Sequence, residues 1–84
     1  MNYKIDLAPL ADYFVVAVKD KNTDDLKDVF TLNKSGIDML KLLYKGEDVK
    51  SVAKKLADIY ETSLDVVTVD VIAFANKLRK KGII

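Results

Sequence analysis

The hydrophobic pattern of this 84-residue chain changes its period at Asn33. Ahead of that residue, apolar side chains alternate with polar ones or stand in short β-branched and aromatic blocks. Behind it they recur every three or four positions. Side chains alternate between faces along a strand and return to one face every turn of a helix, so strands are expected before Asn33 and helices after it. Tyr3, Ile5 and Leu7 alternate with Lys4 and Asp6, the pattern of a first strand with one buried face. Pro9 and the following Leu10-Ala11-Asp12 are expected to turn the chain. Tyr13-Phe14-Val15-Val16-Ala17-Val18 is a second strand, the stretch from Lys19 to Asp25 has no apolar side chain and reads as a loop, and Val29-Phe30-Thr31-Leu32 is a third strand. The N-terminal third is thus expected to form a small antiparallel sheet.

Three helices are expected in the remainder. Asn33 is placed to cap the first, whose Ile37, Leu40, Leu43 and Tyr44 share a face and which Gly46 ends. Asp48 caps a second, with Val49, Val52, Ala53, Leu56, Ile59 and Tyr60 as its apolar stripe and an end near Tyr60. Ser63 caps a third that runs to Lys81. Lys77, Arg79, Lys80 and Lys81 suit the negative end of its dipole, and Gly82 supplies the residue after the cap. The fold class is therefore α+β, β-β-β-α-α-α, with a three-stranded antiparallel sheet followed by a three-helix bundle.

A chain this short buries roughly 60–65% of the surface it exposes when unfolded, which leaves room for one modest core, and residues 1–84 are expected to form one domain. Half of the residues are apolar and 32% are charged, with a net charge of +1. That balance fits a globular protein with no general attraction to nucleic acid or anionic membrane. The first residues lack the basic and apolar regions of a signal peptide, and no apolar run approaches membrane-spanning length, so a cytoplasmic location is expected. The chain has no cysteine and no histidine, which removes the usual bases, nucleophiles and soft-metal ligands. Ser35, Ser51 and Ser63 fall near helix starts, where capping explains them. Asp20, Asn22 and Asp24 imitate the opening of a calcium loop, but Asp25 stands where that loop needs glycine and Thr31 where it needs glutamate. Neither catalysis nor a cofactor is expected.

The third helix holds the feature with functional content. Val67, Val71, Phe74 and Leu78 fall in one stripe, the expected core face. Val66, Val69, Ile72 and Ala73 project to the opposite side and its flanks, so most of the helix is apolar nearly all round and needs cover on two sides. The sheet or another molecule can supply the second cover. An edge strand adds a second opportunity, because its outward N–H and C=O groups can pair with an extended peptide.

The order and separation of several residues resemble the PqqD family, whose founding member serves pyrroloquinoline quinone biosynthesis. The resemblance runs from the second strand to the last residue. It rests on Leu32-Asn33 at the end of the third strand, on Leu40, Leu43 and Gly46, and on Val49, Val52, Leu56 and Tyr60. It continues through Asp70-Val71, Phe74, Leu78 and Gly82-Ile83-Ile84. It implies a winged-helix-like fold that is not a catalyst but recognises the leader segment of a ribosomally made precursor peptide. The leader is implied to add as a strand beside the third strand and to lie against the third helix. Carried over, backbone groups of Asp28, Val29, Phe30, Thr31 and Leu32 would hold the leader, while Val66, Val69, Asp70, Ala73 and Lys77 would line the helical wall. The implied partner is a radical SAM or other peptide-modifying enzyme. Members nearer the quinone pathway carry a Pro-Glu pair just before the third strand, where this chain has Leu26-Lys27-Asp28 and a longer charged loop. The expectation is accordingly a different peptide.

Two other classes compete. A winged-helix DNA-binding regulator would put the third helix in the major groove, yet there is no lysine or arginine between Leu56 and Asn76, and Asp58, Glu61, Asp65 and Asp70 would approach phosphates. A self-associating subunit or homodimer would use the spare apolar face or the strand edge, and predicts a mass that depends on concentration without any peptide.

Overall fold

In a computed structural model of the protein, residues 3–84 are described. Three strands, β1 (Tyr3–Leu10), β2 (Tyr13–Asp20) and β3 (Leu26–Leu32), precede three helices, α1 (Lys34–Tyr44), α2 (Val49–Tyr60) and α3 (Leu64–Lys80). The strands form one antiparallel sheet in the order β1-β2-β3, the α+β arrangement expected from the change of period. Packing divides the chain into two compact units, one holding the sheet with Ile37 and Ile83, the other running from Asp38 to Gly82 with Ile84.

In the first unit, Ile5 stands opposite Val18, Leu7 opposite Val16, and Val16 in turn opposite Phe30. Residues directly opposite each other share a face, so these side chains make one apolar face, centred on the buried Val16 and Val18. The other face carries Lys4, Asp6 and Lys19, and Lys19 Nζ lies 3.0 Å from Asp6 Oδ2. The turn expected over Pro9–Asp12 is tighter than that. Leu10 still pairs with Tyr13, only Ala11 and Asp12 loop out, and Ala11 takes φ 54°. Pro9 sits within β1 opposite Phe14, which a proline tolerates because β1 is an edge strand.

The third strand begins earlier than its apolar run does. Val18 pairs with Asp28 but Lys19 with Leu26, so Lys27 is an extra residue, a β-bulge. The loop before it closes on Asp20, whose Oδ1 accepts the N–H of Asn22 at 2.8 Å and of Thr23 at 3.0 Å. These bonds, Thr23 first, hold the Asp20 carboxyl below the usual carboxylate range. Asp24 is ion-paired with Lys4, which lowers its pKa in the same way. Gly36 permits the sharp passage into α1, since a Cβ there would stand 3.1 Å from Leu32 Cδ2.

The helix ends follow the sequence closely. Asn33 Oδ1 accepts the Gly36 N–H at 3.0 Å, and Asp48 Oδ1 accepts that of Ser51 at 2.8 Å. Helix α1 ends in a Schellman motif, with Gly46 at φ +96°, Gly46 N–H on the Leu43 carbonyl and Glu47 N–H on that of Leu42. Ser63 has the extended geometry of a cap but no capping side-chain bond. The third helix stops at Lys80, one residue before its expected end, and Gly82 follows with positive φ. In the second unit α2 and α3 pack on each other, with Val52, Ala53, Leu56 and Ala57 of α2 and Val67, Val71, Ala75 and Leu78 of α3 buried. Ile59 and Tyr60 were expected in the α2 stripe but are exposed in its last turn. The Tyr60 hydroxyl donates to Asp38 Oδ2 and so ties that turn to α1.

Candidate functional site

Two surfaces carry the expected binding residues, one in each unit. The first is the edge of β3. Antiparallel strands alternate between residues that exchange hydrogen bonds with their partner and residues whose N–H and C=O turn away from it. Val29 donates its N–H to Asp28 Oδ1 at 2.8 Å, so it is one of those that turn away from β2. The alternation then turns the backbone of Thr31 outward as well and that of Asp28, Phe30 and Leu32 toward β2. Of the five positions expected to hold a peptide backbone, Val29 and Thr31 therefore present the outward groups.

The sheet has a second edge, β1, but it is ill suited to strand addition. Phe14 faces β3 by the same alternation, so the backbone of its partner Pro9 is turned outward, and a proline has no N–H to offer there. The bulge at Lys27 limits the β3 edge at one end and α1 limits it at the other. What remains is the short segment Asp28–Leu32. Val29 and Thr31 are exposed and Asp28, Phe30 and Leu32 are half-buried.

The second surface is the outer face of α3. Val67, Val71, Ala75 and Leu78 point into the core, while Val66 and Val69 on the opposite side stay 57% and 66% exposed. Asp70, Ala73 and Lys77 are exposed on the same side, and Val66, Asp70, Ala73 and Lys77 follow at helical spacing. Ile72, exposed on the flank, widens the apolar area. Phe74, expected in the core stripe, is half-buried, and Ala75 is the residue fully inside beside it. Along this outer face the first two turns present Val66 and Val69 beside the carboxylate of Asp70, whereas Lys77, Arg79 and Lys80 occupy the last turn.

Sequence reasoning did not find the bulge, the outward proline of β1 or the Asp28–Val29 bond. Pro9 inside an alternating run was a signal for an edge strand; the other two depend on register. Among the described residues no group of three or more carboxylates, histidines or cysteines is placed to hold a metal ion, and Asp20 is engaged by its own loop.

The family model described as Coenzyme PQQ synthesis protein D (PqqD) matches residues 15–84. The chain belongs to the PqqD family. The match begins within β2 and runs to the last residue, the extent over which the sequence resembles PqqD proteins. Among solved structures the chain is similar to TbiB1 in complex with the TbiA(beta) leader peptide, with a TM-score of 0.67 and 20% identity, over 99% of this chain and 93% of that one. That likeness is one of fold, and it takes in β1, which the PqqD model leaves out. No curated protein matches the chain.

Proposed function

We propose that this PqqD-family domain is a non-catalytic module that binds the leader segment of a ribosomally made precursor peptide and presents it to a modifying enzyme, a radical SAM maturase being the class that the family resemblance suggests. The leader adds as a strand along Asp28, Val29, Phe30, Thr31 and Leu32. The family resemblance adds Val66, Val69, Asp70, Ala73 and Lys77 of α3 as the side chains proposed to meet the leader. Strand addition draws affinity from main-chain hydrogen bonds and specificity from pockets for alternate side chains.

One observation carries the reading. In a PqqD-family chain, β3 is an edge strand with outward backbone groups and no proline, whereas the opposite edge has Pro9 at an outward position. The solved relative with the same fold was captured with a leader peptide, which supports the same class of ligand here. A DNA-binding reading finds less support, because α3 has no lysine or arginine before Lys77 and carries Asp65 and Asp70 in its first two turns.

The test is isothermal titration of the full chain with synthetic leader segments from precursor peptides encoded beside its gene. The reading expects saturable one-to-one binding that Thr31→Pro weakens. Binding of duplex DNA in place of every peptide, or peptide binding that ignores Thr31→Pro while the fold is intact, would discard it.

A further inference from the structure

The outward N–H of Val29 is already occupied in the free chain by the carboxylate of the preceding residue, at 2.8 Å. Asp28 is held firmly on the strand that this bond protects, since it pairs with Val18 immediately beyond the bulge at Lys27. A peptide that adds to β3 has to place one of its carbonyl oxygens where Asp28 Oδ1 now lies. An exposed sheet edge is an invitation to pair with any extended chain, and native sheets protect their edges with charges, bulges and prolines. Here β1 has its proline and β3 has its bulge and Asp28.

We infer that the Asp28 side chain is a stand-in for the ligand strand, holding the Val29 N–H in the free protein and giving it up to an incoming peptide carbonyl. The inference rests on the strand-addition reading and adds to it a side-chain role for a residue that strand addition alone would use through its backbone. One consequence follows from the chemistry. The carboxylate raises the threshold for binding, because each peptide must replace a charge-assisted bond with a neutral one. Every peptide residue carries a carbonyl, so this threshold applies to any extended chain and leaves the choice of register to the side chains, which a one-residue slip carries to the other face.

Three forms of the full chain separate this role from a merely structural one: wild type, Asp28→Asn, which keeps an acceptor oxygen without the charge, and Asp28→Ala, which keeps neither. In the free proteins, amide exchange measured by NMR and corrected for neighbouring-residue effects is expected to be slowest at Val29 in wild type. It should be intermediate in Asp28→Asn and about three- to tenfold faster in Asp28→Ala, the range that the net worth of one hydrogen bond allows. Thr31, outward but without such a neighbour, should exchange alike in all three. Leader affinity should follow the opposite order to the strength of the bond, with Asp28→Ala the tightest by about the same factor. Equal exchange at Val29 across the series overturns the inference, and so does weaker leader binding by Asp28→Ala. If wild type binds no leader at all, the functional reading fails, and the exchange series still decides whether Asp28 guards the edge.

Discussion

Val69 and Leu78 lie on opposite sides of α3, and that difference can be turned into numbers. Leu78 is fully buried, and Leu→Ala in a core costs about 2–5 kcal/mol, a large part of the roughly 5–15 kcal/mol that holds a domain together. Val69 is 66% exposed, and a substitution at such a site changes stability by about 0.5 kcal/mol or less. Complete burial of a valine is worth about 1.5–3 kcal/mol, so a ligand that covers the open two-thirds of Val69 gains about 1–2 kcal/mol there. Val69→Asp forfeits that gain and obliges a carboxylate to lose water against an apolar surface. The expected result is leader binding about 10- to 100-fold weaker with an unchanged melting temperature. Leu78→Ala should instead lower the melting temperature and weaken binding only through the unfolded fraction. Thermal melts and isothermal titrations on both variants read the two effects separately. Full leader affinity in a folded Val69→Asp protein would refute the argument that the outer face of α3 is a ligand surface.

Other perturbations have equally definite outcomes. Thr31→Pro removes an outward donor and leaves the bonds to β2 in place, so its loss of leader binding should exceed its loss of stability. Comparable losses in both would mean that Thr31 faces β2. Asp48→Ala removes the cap of α2 and should cost about 1 kcal/mol in chemical denaturation; no change would show that the Ser51 N–H finds water equally well. Ala11→Gly relieves a side chain at φ 54° and should raise stability by about 0.5–1 kcal/mol, whereas a loss would place the strain elsewhere. The carboxyls of Asp20, Asp24 and Glu47 are held below their ordinary range, by the Thr23 and Asn22 N–H groups, by Lys4 and by Lys55 respectively. A depressed folded-state pKa stabilises above the unfolded value and that contribution is lost as pH falls through the folded one. Stability should therefore decline from about pH 4 downward, and added salt should blunt the part that comes from the Lys4–Asp24 and Lys55–Glu47 ion pairs. A melting temperature that is flat over that range would show that the three interactions contribute nothing.

Much of this fold is legible in the amino-acid sequence because its signals are local. Asn33, Gly46, Asp48 and Gly82 set helix ends by their own hydrogen bonds or backbone conformation, and the change of period at Asn33 separates sheet from helices. The two faces of α3 were legible for the same reason, since Val67, Val71 and Leu78 versus Val66 and Val69 is a matter of helical angle alone. The errors arise where a neighbouring strand overrides local preference. Pro9 is a turn former in isolation, yet it lies within β1 because an edge strand needs no donor on its outer side. Leu26, Lys27 and Asp28 lie ahead of the apolar run Val29–Leu32, and pairing with β2 together with the bulge draws them into β3. Which backbone groups of Asp28–Leu32 face outward depends on register, a non-local property that no window of sequence contains, so the candidate site was visible as a segment but not as the alternation of Val29 and Thr31.

The most direct test of the account is an amide NMR titration of the labelled full chain with leader peptides encoded beside its gene, run in parallel with duplex DNA. The account predicts peptide-specific shifts concentrated at residues 28–32 and 66–77, with little change from DNA. Shifts produced by DNA alone, or peptide shifts confined to surfaces that exclude β3 and α3, would contradict it.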